Sequence, residues 1–500
     1  MSIRKLAGET AIYGLSSLVG RLLYFLLTPM YTRIFPTEEY GIVTDLFAYI
    51  GFAMVLFTYR MEVAYFRFGA DSEADRKRSF DTAQLSIILS TIALGVLFLA
   101  LSPWMADLSK YPGRSVLVQL AVAILCLDAL AEVPFARLRM ERRAVKFAAI
   151  RLLNISVNLG ANLFFLVFCP YALKSQTWQF MHPIIESLYD PAFGIGYIFL
   201  SNVLASLTSV LLLLPQMRGL RFSIDWAHWR RMMRYALPLV VVGFSYVINE
   251  MFDRKAMIYL LPGSAHENHT QLGIYGANYK LAMLLALFTQ AFRYAAEPFF
   301  FRVSKKTGSL QVYADVAKYF AIIGVLGFLG VMLYIDLLKY FIGPQYWSGL
   351  GVVPVLLLAN LFLGLYTNFS TWYKLTDRTD LGAYISIGGA LITIVLNLWW
   401  VPVFSYTGAA WATLICYTSM AVACLWIGRK YLPVPYPVGR ISLYIVLGLA
   451  FFFLSEKWRP LFSEKWLLLL ANTALLGAFA AVTALLEKDD LKKILRRKKN

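Results

Sequence analysis

A chain of 500 residues that is 59% hydrophobic and only 15% charged, with a mean hydropathy of +0.62, is not a soluble protein; those average about 45–50% apolar and about 25% charged residues. A net charge of +18 in a soluble protein would suggest nucleic acid, but the placement of the charge along this chain excludes a nucleic-acid partner. The four cysteines (Cys126, Cys169, Cys416, Cys424) lie in or at the ends of apolar segments with no C-x-x-C pair, so neither a disulfide framework nor a zinc site is expected.

The first apolar stretch runs from about Ala11 to Tyr31 behind Arg4 and Lys5. It is too long for the apolar region of a signal peptide and has no small-residue cleavage site, so it reads as a first membrane span. Further stretches of span length are centred near residues 50, 91, 125, 158, 203, 249, 286, 327, 361, 391, 417, 447 and 476. The expected architecture is an all-α, multi-pass membrane protein of about fourteen helices. The breaks between them alternate in charge. The N-terminus, 67–80, 137–146, 215–234, 302–318, 374–380, 428–440 and the tail from 487 hold most of the 47 Lys and Arg residues. Excess Lys and Arg mark the cytoplasmic side, so both termini are expected there. The tail LKKILRRKKN is expected on the anionic inner leaflet. The longest outer loop, about 170–191, reads as an amphipathic segment with Trp178, Phe180 and Tyr189 at the interface. An outer-side reactive centre using His182, Glu186 and Asp190 is the weaker alternative. No G-x-x-x-x-G-K-[ST] run is present, so ATP hydrolysis by this chain is not expected.

Residues 40–67 and 275–302 align without gaps, matching Tyr40-Gly41 with Tyr275-Gly276, Glu62 with Glu297 and Arg67 with Arg302. Apolar bias does not supply such matches. The second span then corresponds to the eighth and the first to the seventh, in the same orientation, as in transporters built from parallel repeats. The expected organisation is an N-terminal lobe over 1–218 (helices 1–6), a cytoplasmic linker over 219–234 and a C-terminal lobe over 235–430 (helices 7–12). Helices 13–14 over 431–486 and a basic tail over 487–500 complete it.

The seventh span, SYVINEMFDRKAMIYLL (Ser245–Leu261), places Glu250, Asp253, Arg254 and Lys255 where lipid should be. A charge at mid-bilayer costs at least about 2.5–3.5 kcal/mol, so such groups face a protein interior or a wet cavity. At 100° per residue Glu250, Asp253 and Arg254 share a face, and Glu250 with Arg254 has the favourable i, i+4 order. Lys255 points elsewhere. Arg21, Asp45, Arg60, Glu62, Lys280, Arg293 and Glu297 lie in spans 1, 2 and 8, with Asp128, Glu132 and Arg151 in spans 4 and 5. Asp45 and Lys280 could pair across the pseudo-twofold. Glu62 with Arg67, and Glu297 with Arg302, read as local bridges or headgroup contacts. The candidate cavity cations are Arg21, Arg254, Lys280 and Arg293; the candidate charge-balancing or ion-coupling acids are Glu250, Asp253 and Asp45. Guanidinium groups suit phosphate. The nearby tyrosines, Tyr24, Tyr59, Tyr246, Tyr275, Tyr279 and Tyr294, can pack on sugar rings. A lipid-linked sugar diphosphate fits both.

Two blocks carry a family resemblance. GLSSLVGRLLYFLLTPMYTRIFPTEEYGIVTDLFAY (Gly14–Tyr49) resembles the N-terminus of Wzx-type polysaccharide flippases. Residues 249–301, with NEMFDRKAMIYLL, LGIYGANYKLAMLL and AFRYAAEPFFF, look like spans 7 and 8 of the same group. That group falls in the multidrug/oligosaccharidyl-lipid/polysaccharide (MOP) exporter superfamily. The resemblance implies a two-lobed, MATE-like fold of fourteen helices that moves undecaprenyl-diphosphate-linked oligosaccharide across the bacterial cytoplasmic membrane for surface polysaccharide or O-antigen synthesis. It implies alternating access, with Arg21, Arg254, Arg293 and Lys280 on the headgroup. The expected partners are the lipid-linked substrate, membrane lipids, and the polysaccharide polymerase and glycosyltransferases of the pathway. No metal or cofactor is expected; H+ or Na+ could couple through Glu250 and Asp253. The rival readings are a flippase for the peptidoglycan precursor lipid II, a drug/cation antiporter, and a membrane-bound polymerase or glycosyltransferase. Clustered arginines argue against the antiporter, and the lack of a large outer domain argues against the enzyme.

Overall fold

In a bilayer every backbone N–H and C=O must be satisfied within the chain, and a helix does so without an edge. The computed structural model, which describes residue 14 and residues 18–70, 72–303, 308–462 and 464–488, is helical accordingly, with no strand among the described residues. Among the described residues twelve helices are long and apolar enough to cross a membrane: Thr37–Phe68, Glu73–Ala100, Ser115–Met140, Ala144–Lys174, Gly196–Met217, Trp226–Leu260, Ala265–Tyr294, Ser309–Leu333, Pro344–Leu375, Thr379–Tyr431, Val438–Leu461 and Lys465–Leu486. The protein is thus an all-α, multi-pass membrane protein.

Two features bear on the expected count of fourteen. Residues 18–26 are helical and Thr28–Ile34 continues past a turn at Leu27; the start of this first expected span lies outside the described residues. Thr379–Tyr431 has 53 residues. At about 1.5 Å per residue it would be more than twice as long as a hydrocarbon core of about 30 Å. Its backbone breaks at Ser405 (φ 51°, ψ −139°), just after Pro402, and the two arms coincide with the spans expected near 391 and 417.

The chain forms two compact units, Met1–Gly276 with Thr393–Ala409, and Ala277–Ile392 with Ala410–Asn500. The division by contact falls inside the Ala265–Val303 helix, not in the 219–234 stretch.

In the first unit the Gly196–Met217 helix packs on Ser115–Met140 and Ala144–Leu163, and Trp226–Leu260 packs along Thr37–Thr58. Phe57, Met61, Tyr65, Phe80, Val133 and Met232 form a buried core there. Thr37–Thr58 ends in left-handed backbone at Tyr59 and Arg60 (φ 32° and 58°) before Met61–Phe68 resumes. Glu62 is buried and pairs with Arg60 at 3.7 Å, so the expected Arg67 is not its partner. The side chains of Glu297 and Arg302, and the 491–500 tail, lie outside the described residues.

The helices of Tyr40-Gly41 and Tyr275-Gly276 meet within this unit, and the glycines explain how. A Cβ on Gly41 would sit 1.9 Å from the carbonyl oxygen of His269, and one on Gly273 would sit 1.9 Å from that of Thr37. Only glycine permits so close a backbone approach. Gly273→Val should therefore force the two helices apart. We expect it to destabilise the purified protein by at least about 1–3 kcal/mol, the usual cost of overpacking, seen as a lower midpoint in a detergent thermal scan. Gly477→Ala, where added bulk meets nothing within 4 Å, should leave the midpoint unchanged.

The 170–195 segment is folded. It contains Gln176–Met181 and Pro191–Phe193 as 3-10 turns around the His182–Leu188 helix. Phe164, Phe168, Trp178, Met181 and Tyr189 pack around buried Cys169, Ala172 and Ile185. His182 is engaged structurally, its Nε2 lying 2.9 Å from the Ala172 carbonyl oxygen.

In the second unit Ser309–Leu333 packs against Val353–Phe369, Val438–Trp458 and Lys465–Leu486. Glu487, just past the last of these, is 2% exposed. It accepts from Lys318, from Arg440 at 3.2 Å and from the Tyr444 hydroxyl, which fastens the last two helices to the unit. Near the other end of the same helices, buried Asn472 donates to the Leu333 carbonyl at 2.7 Å and accepts from Ser455 at 2.9 Å.

Candidate substrate-binding site

Three of the four charges of the Ser245–Leu261 stretch, Asp253, Arg254 and Lys255, are held in two adjacent buried pairs of the first unit, while Glu250 is half-buried. Arg254 donates through Nη1 to Asp253 Oδ1 at 2.8 Å and also to the Glu250 backbone carbonyl. The Tyr275 hydroxyl donates to the other Asp253 oxygen at 2.5 Å. The side chains of Arg254 and Asp253 are 11% and 5% exposed. One residue on, Lys255 Nζ donates to Asp45 Oδ1 at 2.6 Å and to the Asp45 carbonyl at 3.0 Å. The Asp45 side chain is fully buried, and its second carboxylate oxygen has no hydrogen-bond donor among the described residues. The Asp45 carboxylate is therefore engaged by Lys255, not by Lys280 as the repeat suggested.

These pairs lie toward one end of the unit, where further polar contacts gather. Arg114 pairs with Glu39 at 2.6 Å and His266 with Glu38 at 2.7 Å. Lys110 donates to the Ile258 carbonyl at 2.8 Å, and the hydroxyls of Tyr49 and Tyr259 are hydrogen-bonded to each other.

Arg21 sits elsewhere in the same unit. It lines a cavity of about 340 Å³ with Tyr24, Asp128, Glu132, Arg151, Asn154, Asn202, Ser206 and Ser209; Arg254 is not among the lining residues. Ser206 donates to Asp128 at 2.6 Å and Asn154 to Ser209 at 2.9 Å. The Arg151 guanidinium lies over the Phe135 ring, 4.0 Å from its centroid. Two guanidinium groups and two carboxylates thus face one polar space. Its charges balance while it is empty, and it presents forked donors to an anionic or hydroxyl-rich head. From the sequence Arg151 stands out as a charge in span 5, whereas nothing there marks Asn154, Asn202, Ser206 and Ser209. Uncharged polar residues in helices are too common to stand out without their neighbours in space.

In the second unit Arg293 lines a small cleft of about 10 Å³ with Phe292, Ala296, Phe300, Thr367, Thr371 and Lys374, room for about one water. Lys374, which lay in a basic break of the sequence, joins Arg293 there. Lys280, on the same helix as Arg293, is half-buried. Among the described residues no group of three or more His, Cys, Asp or Glu could hold a metal ion.

Helices at bilayer length that carry buried ion pairs and a charged cavity define a multi-pass membrane protein with polar groups set among its spans. The fold is similar to that of the lipid II flippase MurJ in an inward closed conformation, with a TM-score of 0.75 at 11% identity over 96% of this chain and 99% of that one. It is also similar to an inward-facing multidrug resistance MATE family transporter of the MOP superfamily (TM-score 0.64, 14% identity, 84% of this chain and 94% of that one). The outward-facing form of such a transporter gives 0.58 at 14% identity, over 87% and 96%. No curated protein sequence matches the chain significantly. Residues 6–304 match the family described as "Polysaccharide biosynthesis protein", and the chain belongs to that family.

Proposed function

We propose that this protein flips undecaprenyl-diphosphate-linked oligosaccharide units across the bacterial cytoplasmic membrane for surface polysaccharide or O-antigen synthesis. The match of residues 6–304 to the polysaccharide biosynthesis family carries this reading. The chemistry supports it: Arg21, Arg254, Lys280 and Arg293 are set at span depth, where cations are costly unless used. In this reading fourteen spans form two six-helix lobes plus helices 13 and 14, with both termini in the cytoplasm, a placement the Lys and Arg distribution supports. The lobes alternate access. Arg21, Arg254 and Arg293, with Lys280, bind the diphosphate-sugar head, while the polyprenyl tail stays in lipid. Asp253, paired with Arg254 at 2.8 Å, balances that charge until substrate phosphate displaces it. Glu250 and Asp45 belong to the same charge-balancing set, and H+ or Na+ would couple through these acids. The partners are the lipid-linked substrate, membrane lipids and the pathway's glycosyltransferases and polymerase.

The similarity to a lipid II flippase supports a second reading, the peptidoglycan precursor as cargo. Deletion of the gene separates the two. Under the first reading lipid-linked oligosaccharide accumulates in the inner leaflet and surface polysaccharide is lost, while peptidoglycan synthesis continues. Rescue of cells depleted of their lipid II flippase by this chain would instead establish the second.

A further inference from the structure

The substrate's charged head is only part of it, and the first unit holds a second cavity that none of the cationic candidates lines. This cavity, about 520 Å³, lies beneath the folded 170–195 segment. That volume falls within the roughly 300–1,000 Å³ typical of small-molecule sites. It is lined by Phe35, Glu39, Arg114, Tyr189, Phe193 and Tyr197 among others. Its one guanidinium, Arg114, is already paired with Glu39 at 2.6 Å, so the space offers no surplus charge to a phosphate. The Arg114 side chain keeps 41% of its surface exposed, which leaves donors free beside that pair.

The aromatic wall is built and braced. Tyr197 stacks on Tyr189 at 5.2 Å and on Phe165 at 4.7 Å, and Phe193 meets it edge-on at 4.9 Å. Tyr197 is buried, whereas Tyr189 and Phe193 remain partly exposed. Asp190 locks the loop: its backbone N–H donates to the Tyr197 hydroxyl at 2.7 Å, and its carboxylate accepts from the Ala192 N–H at 2.8 Å. Gly194 has φ +50°, and a Cβ on Gly196 would lie 2.6 Å from the Phe193 ring. The loop therefore presents its rings in a fixed arrangement, which lowers the entropic cost of binding.

Flat apolar rings beside a self-neutralised carboxylate–guanidinium pair match a ligand with apolar C–H faces and a rim of hydroxyls. They match neither a phosphate nor a hydrocarbon tail. We infer that this cavity is a saccharide subsite, which takes a sugar unit of the lipid-linked oligosaccharide at a distance from the cations that hold the diphosphate. Tyr189 and Phe193 stack on the sugar ring, and Glu39 and Arg114 hydrogen-bond its hydroxyls. The inference rests on the flippase reading for the identity of the sugar, but the site itself is testable without transport.

The probe is the reducing oligosaccharide released by mild acid from the host cell's own lipid-linked pool, which carries neither diphosphate nor lipid. Saturation-transfer NMR with the full-length protein in nanodiscs should show transfer to the glycan protons at millimolar glycan. Tyr189→Ala with Phe193→Ala, and separately Arg114→Gln, should weaken it at least about tenfold, as expected when a stacking face or a paired donor is removed. Should these variants fold poorly, Ala192→Cys at the exposed lip gives a reading in an otherwise intact chain. Maleimide modification of that cysteine should slow severalfold when the glycan is added. No transfer with the wild-type protein, equal transfer with the variants, or labelling indifferent to glycan would each overturn the subsite. Glycan binding in a protein whose gene deletion traps no lipid-linked oligosaccharide would leave the subsite standing and remove the flippase reading.

Discussion

Lys255→Met should cost the protein about 3–5 kcal/mol, the usual penalty for removing one partner of a buried ion pair. Asp45 is fully buried opposite it and would lose the cation that donates to its Oδ1. Lys255 also ties two helices together, through the Asp45 carboxylate and carbonyl at 2.6 and 3.0 Å. The loss should appear as a lower thermal midpoint in detergent and as reduced membrane levels in cells. Asp45→Asn combined with Lys255→Met should recover most of the stability, because replacing both members of a buried pair by uncharged groups is often neutral or better. A single variant as stable as the wild type would mean that water reaches Asp45, and that the pair is not the clamp described here.

The second large effect is on transport. Arg254 is nearly buried and spends its fork on Asp253 and the Glu250 carbonyl. Arg254→Ala leaves Asp253 with the Tyr275 hydroxyl and the backbone N–H of residue 254 but takes away its guanidinium partner, so its phenotype mixes folding with binding. Arg254→Gln with Asp253→Asn removes both charges together and should insert at wild-type levels. Export of surface polysaccharide should nevertheless fall at least about tenfold, since a charge-assisted contact to phosphate is lost. Arg254→Lys keeps the charge but not the planar fork and should fall between the two. Quantifying cell-surface polysaccharide against membrane protein level checks all three. Wild-type export in the double variant would remove Arg254 from the headgroup site.

Much of this architecture could be read from the sequence, because lipid imposes one rule along the whole chain. Apolar runs of span length mark the helices, and the spans expected near 391 and 417 recur as the two arms on either side of Ser405. The charges of the seventh span stood out for the same reason: carboxylates and guanidiniums among apolar residues need partners. Which partners was not legible. The i, i+4 rule pointed Arg254 at the Glu250 side chain, whereas its guanidinium reaches the Asp253 carboxylate and the Glu250 backbone carbonyl. Lys255 and Asp45 are 210 residues apart, and no local periodicity connects them. The repeat did single out Tyr40-Gly41 and Tyr275-Gly276, but not the reason they match. Gly41 and Gly276 are sites where a neighbouring helix approaches too closely for a side chain. The 170–195 segment shows the opposite limit. Its rings and turns looked like an interfacial loop until stacking around Tyr197 enclosed a cavity.

Under the proposed function a lipid-linked diphosphate sugar moves through a protein whose cations grip its head. Purified chain reconstituted in vesicles with undecaprenyl-diphosphate oligosaccharide tests this directly, by following the fraction of glycan cut by an added, membrane-impermeant glycosidase. Cleavage should proceed past the initially exposed fraction with the wild-type protein and stall at that fraction in protein-free vesicles and with the Asp253→Asn/Arg254→Gln protein. Equal cleavage in all three samples would contradict it.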